Sequence, residues 1–409
     1  MPPFDSIICV GQTTWAGDFQ KAVVQLMCEL SVRHRVLYVD YQHTAKDLIM
    51  GALGRQKDVP VRSIMRLDTP LTTKAGKEGS VVHVWQPPVM VPINFLPPAL
   101  HDPLLAVNAN RLIAGLRRAM TELGFKRPLV INGMHPVLGQ AMLGKLNEAG
   151  TLYYCFDEIT IAKWMSKHGG RYEPQYMRRV DAVITTSEAL RQAKATIQPR
   201  TFCVKNGVDF PLFNQVRSLI ATNSSQKANT TQRPVVGYLG TADDRVDIDL
   251  VEYCVQTMPD VTFQFIGEIK EPAIRQRLGT FPNVVFTPPQ QPATLPPLLA
   301  GLSATMIPFV CNAHTYTIYP LKINEYLAGG LPVVSTPFSI LDDFSGIVAM
   351  ADTPGTFASA LRHALTDNAP DRVQARVDMA RANSWAHRAN EFEAVFATLI
   401  DQGKPYETR

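Results

Sequence analysis

Short apolar runs recur along the chain, and most of them stop at a glycine, a polar residue or an acid. Ser6–Val10 runs apolar up to Gly11, the amphipathic stretch Phe19–Leu30 follows, and Val36–Asp40 (VLYVD) is the next run. Strand, glycine turn, helix, strand is the rhythm of a parallel sheet. It continues through Ser80–Trp85, Ala106–Leu123, Pro128–Asn132, Val137–Ala149, Leu152–Phe156, Gln175–Val180, Ala182–Thr186, Glu188–Thr196 and Thr201–Val204. Ser218–Arg233 breaks it with a mixture of Ser, Thr, Asn and Gln that suits a flexible linker. The rhythm restarts at Val235–Leu239 and Gly240 and runs on to a helix over Pro354–Thr366. From Ser384 onward, Trp385, Phe392, Phe396 and Leu399 fall at helical spacing. The pattern predicts an α/β protein with two doubly wound, Rossmann-like domains, residues 1–215 and 235–383. A linker over 216–234 joins them, and a helix and tail over 384–409 returns to the first. Ligands of such sheets lie off the carboxyl ends of the strands, so a cleft faced by both domains is the expected site.

Composition sharpens this picture. Of 409 residues, 46% are apolar and 19% charged, which excludes general disorder and fits covered parallel sheets. Six cysteines are scattered without a CxxC pair, so a disulfide scaffold, a zinc ribbon and an iron–sulfur site are not expected. Reduced thiols in a cytosolic protein are. No secretory leader is visible. The uncharged stretch Val81–Leu100 holds five prolines and reads as a loop after a strand. Residues 1–215 carry 25 Lys and Arg against 17 Asp and Glu; the remainder carries 15 against 19. A basic first half suits an anionic partner such as a phospholipid face or a lipid diphosphate. Nucleic acid is not expected, because basic and aromatic residues do not interleave.

The segment that carries chemistry is Tyr319–Thr336, YPLKINEYLAGGLPVVST. Lys322 and Glu325 are three residues apart and share one helix face. A lysine at a helix start joins its own charge to an amide-rich end that favours phosphate. A carboxylate one turn on suits the paired hydroxyls of a ribose. A surface salt bridge on an ordinary helix is the plain alternative.

This segment resembles the donor-binding signature of GT-B glycosyltransferases, in particular the GT4-like and teichuronic-acid-type enzymes of surface polysaccharide synthesis. VVGYLGTADDRVDIDLV, MPDVTFQFIGE, VKNGVD at Val204–Asp209 and Ser384-Trp385 extend the likeness over most of the chain. The resemblance implies a GT-B fold: a C-terminal domain for the nucleotide sugar, an N-terminal domain for the acceptor, and a helix crossing back. It implies Lys322 on the diphosphate, Glu325 on the ribose, and Gly240 and Thr241 where backbone approaches the phosphates. Arg245 becomes a phosphate contact, and His314 and Tyr316 contacts to the nucleotide sugar. A nucleoside diphosphate sugar, a UDP-sugar in first place, is then the donor, with no cofactor and no metal. The acids Asp243, Asp244, Asp247 and Asp249 open a helix, where acidic residues are common for dipole reasons, rather than forming a metal motif.

One departure bears on stereochemistry. Retaining relatives carry a glutamate eight residues before the ribose-binding one, and here that position is Thr317. Tyr153–Thr160 (YYCFDEIT) offers a carboxylate at a strand end instead. It resembles the xanthan-type glucuronosyltransferases, in which a strand-end aspartate is the base. Asp157 is therefore the expected base of an inverting transfer, with a structural helix-cap role as the alternative. Gly11 and Gly17 in GQTTWAG, and His135 after another strand, are the expected acceptor side. The acceptor is a glycan or a lipid-linked saccharide, and the basic half with the Pro-rich loop 86–98 places that domain on the inner face of the membrane. A GT-B epimerase, or a non-catalytic GT-B partner that binds a nucleotide or glycan, remains open at this point. A nicotinamide oxidoreductase is not expected, since no GxGxxG follows a strand.

Overall fold

The computed structural model describes residues 4–17, 21–56, 59–161, 166–226 and 233–400. It divides into two compact units, Met1–Lys205 with Ala389–Arg409, and Asn206–Arg388.

The first unit holds an eight-stranded sheet: β1 Ile7–Val10, β2 Val36–Val39, β3 Leu71–Ala75, β4 Val81–Trp85, β5 Leu129–Gly133, β6 Gly150–Cys155, β7 Ala182–Thr185 and β8 Thr201–Cys203. Their order is β3-β4-β2-β1-β5-β6-β7-β8. All neighbours pair parallel except β3, which runs antiparallel to β4. The central strands β1 and β2 are buried along their full length, as strands covered on both faces must be. The edge strand β3 is LTTKA and mostly exposed, so it carries no apolar run and escapes a reading by hydrophobicity. On one face Leu37, Val39, Trp85, Leu112 and Leu116 pack together. The end of the Trp385–Ile400 helix packs Phe392 against Tyr154 and Phe396 against Phe4, with ring centroids 5.1 and 5.9 Å apart.

The second unit holds β9 Val235–Leu239, β10 Thr262–Ile266, β11 Val284–Thr287, β12 Ala304–Ile307, β13 Val333–Ser335 and β14 Ala349–Met350. The order is β11-β10-β9-β12-β13-β14, and every pair is parallel. This doubly wound order reverses direction between β9 and β12.

Several local expectations change. The expected linker over 216–234 begins inside a helix, Phe210–Gln226; its apolar positions Phe213 and Val216 are buried, which outweighs the polar composition further on. Residues 227–232 of that stretch lie outside the described residues, as do residues 401–409 of the tail. The helix expected over Val137–Ala149 ends at Met142, and Gly144 and Asn147 then take left-handed backbone. The helix expected over Gln175–Val180 starts at Ser166 and ends at Met177. The Pro-rich loop does not present a continuous apolar surface. Met90 and Ile93 are buried in the core and Phe95 is exposed; Pro98 opens the helix Pro98–Leu123, the place where proline suits a helix.

Candidate functional site

At the point where the second sheet reverses, the turns after β9 and β12 leave from neighbouring strands. Such a switch point is where an open α/β sheet presents a crevice. Gly240 follows β9 with φ +112° and Gly267 follows β10 with φ +140°, a region open to glycine. A Cβ on Gly267 would lie 2.4 Å from the Gly240 carbonyl oxygen, so the turns pack closer than side chains allow. A Cβ on Gly240 would lie 3.3 Å from Lys322 Nζ. The glycine thus brings bare backbone beside the lysine.

Lys322 stands on the helix Leu321–Ala328. Ile323, Tyr326 and Leu327 anchor that helix in the core, and the Leu239 N–H donates to Tyr326 Oη at 2.7 Å, tying it to the end of β9. Lys322 Nζ lies 3.8 Å from the Tyr238 ring centroid and 5.1 Å from that of Phe309. A cation over two aromatic faces is favourable, but the rings do not satisfy its three N–H donors. Neither Lys322 nor Glu325 makes a hydrogen bond or ion pair with the described residues. Burial, followed by the Arg245 charge, pushes the Lys322 ammonium down to about 7. Burial pushes the Glu325 carboxyl up to about 7. The surface salt bridge weighed as the plain alternative is therefore not what this helix holds. It presents a cation and a carboxyl that attract each other through space yet share no hydrogen bond, an arrangement that marks a candidate binding site.

Arg245 lies in the turn after Gly240. Asp243 holds one edge of its guanidinium in a bidentate pair, with Nε and Nη2 each donating at 2.7 Å, and its Cζ sits 5.3 Å from the Phe309 ring centroid. Thr241 is half-buried beside it, and its carbonyl accepts from Tyr238 Oη at 2.8 Å. Asp247 caps the next helix, accepting from the Leu250 N–H at 3.0 Å, and Asp249 pairs with Arg277 at 2.7 Å. Three of the four acids in this segment thus have structural partners. His314 and Tyr316 belong to a short turn of helix, Ala313–Tyr316, capped by Asn312. His314 is half-buried and Tyr316 exposed. Thr317 donates to the His314 carbonyl at 2.8 Å, so the position of the absent glutamate is spent on the local turn.

The expected residues of the first unit lie at the carboxyl ends of its strands. Asp157 follows β6 by two residues, half-buried, and its Oδ1 accepts from the Glu158 N–H at 2.8 Å. Gly11 leaves room for Tyr38, whose hydroxyl would be 2.0 Å from a Cβ there. Gly17 has φ +134°. Between them Trp15 is held by its N–H donating to Asp40 Oδ1 at 2.7 Å. His135 caps the helix Pro136–Met142, its Nδ1 accepting from the Leu138 N–H at 3.4 Å, and burial pushes its imidazole down to about 3. His135 is thus a neutral cap engaged with its own helix. Sequence reading missed Tyr238 and Phe309, the platform under Lys322. Both sit inside apolar runs, where nothing distinguishes a platform from core. It also missed Asp40, whose carboxyl is raised by burial, although an acid closing the run VLYVD was a visible signal.

Comparison with known proteins bears on the family and the fold. A family model described as glycosyl transferases group 1 matches residues 233–367. A Bacillus subtilis (strain 168) chain named as a teichuronic acid biosynthesis glycosyltransferase, TuaH, is 24% identical over 224 residues. That match covers 52% of this chain and 56% of the relative, so the chain spans about half the length of the curated relative. Among solved structures, sucrose-phosphate synthase from Thermosynechococcus elongatus superposes with TM-score 0.68 at 14% identity, covering 97% of this chain and 99% of that one. Trehalose 6-phosphate synthase from Burkholderia multivorans gives 0.66 at 12%, covering 98% and 100%. Anabaena HepE, solved with UDP and glucose, gives 0.61 at 16%, covering 97% and 99%. The chain has the GT-B fold, and residues 233–367, within its second unit, match the glycosyl transferases group 1 model.

Proposed function

We propose that the protein is a glycosyltransferase that moves a sugar from a nucleoside diphosphate sugar to a glycan or lipid-linked acceptor in surface polysaccharide synthesis. The observation that carries this reading is Lys322 beside Gly240 at the switch point of the second sheet, with Glu325 one helical turn on and neither hydrogen-bonded to the described residues. In this reading Lys322 meets the diphosphate, Arg245 adds charge, and Glu325 accepts from the ribose hydroxyls. His314 and Tyr316 flank the sugar. A UDP-sugar is the favoured donor, and no metal takes part.

Asp157 takes the proton of the acceptor hydroxyl, held by the first unit on the side of Gly11, Gly17 and His135. The hydroxyl oxygen bonds to the anomeric carbon as the bond to the diphosphate oxygen breaks. The nucleoside diphosphate departs with that electron pair, and Lys322 and Arg245 stabilise its charge. Attack in line inverts the anomeric centre. Thr317 supports inversion, since the carboxylate of retaining relatives is missing.

Peripheral contact with the inner membrane belongs to the same reading. Among the described residues no helix is long and apolar enough to cross a membrane. Ile49, Leu53, Met65 and Leu67 are each more than half exposed, and the same segment carries exposed Lys46, Arg55, Arg66 and Arg62, the last paired with Asp68. Apolar tips among basic residues suit an anionic lipid surface. The test of the function is a panel of UDP-, GDP- and dTDP-sugars incubated with membrane lipid extract. Release of nucleoside diphosphate with a glycosylated product is expected from the wild type, and is lost in Asp157→Asn and Lys322→Ala. Absence of release from every donor, or full release by both variants, refutes it.

A further inference from the structure

Beneath the loop that carries Asp157, three elements of the first unit converge on one buried lysine. Lys194, on the helix Glu188–Ala195, donates to Glu158 Oε2 at 2.9 Å and to Glu173 Oε2 at 2.8 Å. Its side chain is 7% exposed and that of Glu173 is 5%. Glu173 stands on the helix Ser166–Met177, and its Oε1 accepts from Tyr153 Oη at 2.9 Å and lies 3.7 Å from Cys155 Sγ, both residues of β6. Apolar replacement of a buried ion cluster is often neutral or stabilising, so a cluster like this one suits a role in fixing position rather than in adding stability.

The position it specifies is that of the loop. Glu158 Oε1 accepts from the Thr160 N–H at 3.2 Å and from Thr160 Oγ1 at 2.9 Å, while the Glu158 N–H holds Asp157 Oδ1. The Asp157 carbonyl accepts from Cys155 Sγ at 3.3 Å, and the Phe156 carbonyl from Thr186 Oγ1 at 3.1 Å. From Lys194 the path to the Asp157 carboxylate is one side chain and one backbone N–H. We propose that Lys194 is the positioning residue for Asp157: it clamps Glu158 to Glu173, and the clamped Glu158 amide sets the direction of the Asp157 carboxylate. The proposal rests on the reading of Asp157 as the base.

Lys194→Met alone leaves two carboxylates facing each other and risks misfolding. Lys194→Met/Glu173→Gln removes the deep charges in pairs and keeps an oxygen for Tyr153. The experiment compares this double variant with wild type by hydrogen exchange of the full chain, and by nucleoside diphosphate release from the UDP-sugar that turns over in the donor panel. Exchange at the Glu158 and Thr160 amides is expected to accelerate about tenfold or more, with β6 and β7 unchanged. Release is expected to fall roughly 10- to 100-fold in kcat, as a misplaced catalytic group implies, with donor KM within about twofold. Lys194→Arg, which keeps the cation, recovers part of the loss. Unchanged exchange in the loop overturns the proposal. Asp157→Asn separates the two failures. If Asp157→Asn keeps wild-type kcat, the base assignment falls and the positioning role with it. If Asp157→Asn is inactive while the double variant keeps full kcat, the positioning role alone falls.

Discussion

Replacing Lys322 with methionine is expected to make the empty protein more stable and its donor binding weaker. The ammonium sits on Tyr238 and Phe309 with no hydrogen-bonding partner among the described residues, and burial has pushed it down to about 7. A lysine whose folded value lies below its unfolded value binds fewer protons when folded. Its destabilisation is fully present at acid pH and fades as pH rises from about 7 through the ordinary lysine range. At pH 7 the upper bound is about 4 kcal/mol. Partial solvent access and ring contacts worth about 1–2 kcal/mol take much of that back. A net gain of about 1–2 kcal/mol remains for an apolar side chain of similar length, or roughly 3–6 °C in Tm for a unit of this size. In the proposed site the same change removes a charged partner of the diphosphate. Hydrogen bonds to charged groups contribute about 1.5–3 kcal/mol, so UDP affinity is expected to fall roughly 10- to 100-fold. Scanning calorimetry at pH 7, with and without UDP, reads both effects. A variant that melts lower when empty and keeps the wild-type shift with UDP refutes the reasoning, because Lys322 would then be a structural cation.

With Lys322 on the diphosphate as proposed, UDP affinity measured by titration calorimetry should weaken as pH rises through about 7, up to tenfold per pH unit, and Lys322→Met should flatten that slope. Gly267→Ala should destabilise the second unit by about 2–4 kcal/mol in chemical denaturation, since the new Cβ would meet the Gly240 carbonyl oxygen at 2.4 Å. Ile49→Asp/Leu53→Asp should abolish sedimentation with phosphatidylglycerol vesicles at low salt while leaving UDP binding intact, and wild-type sedimentation by this variant would remove the membrane surface.

Much of the architecture was legible because both sheets are mostly parallel and covered. Strands such as β1, β2 and β12 are buried throughout, so each appears as an unbroken apolar run. The strand β3 was not legible, since an exposed edge needs no apolar face. The helix Phe210–Gln226 was hidden by its polar second half, while burial of Phe213 and Val216 fixes it. In the site, Lys322 and Glu325 were readable from spacing and resemblance. That neither is hydrogen-bonded to the described residues was not, because this depends on what folding leaves outside reach. The clamp of Lys194 on Glu158 and Glu173 joins residues 36 and 21 positions apart and has no local signature.

The central claim is that Lys322 and Glu325 receive the nucleoside diphosphate of a sugar donor. Its most direct test is titration calorimetry of UDP and UDP-sugars against wild type, Lys322→Ala and Glu325→Ala. The account predicts saturable binding by wild type, with affinity roughly 10- to 100-fold weaker in each variant. Equal affinity in all three would contradict it.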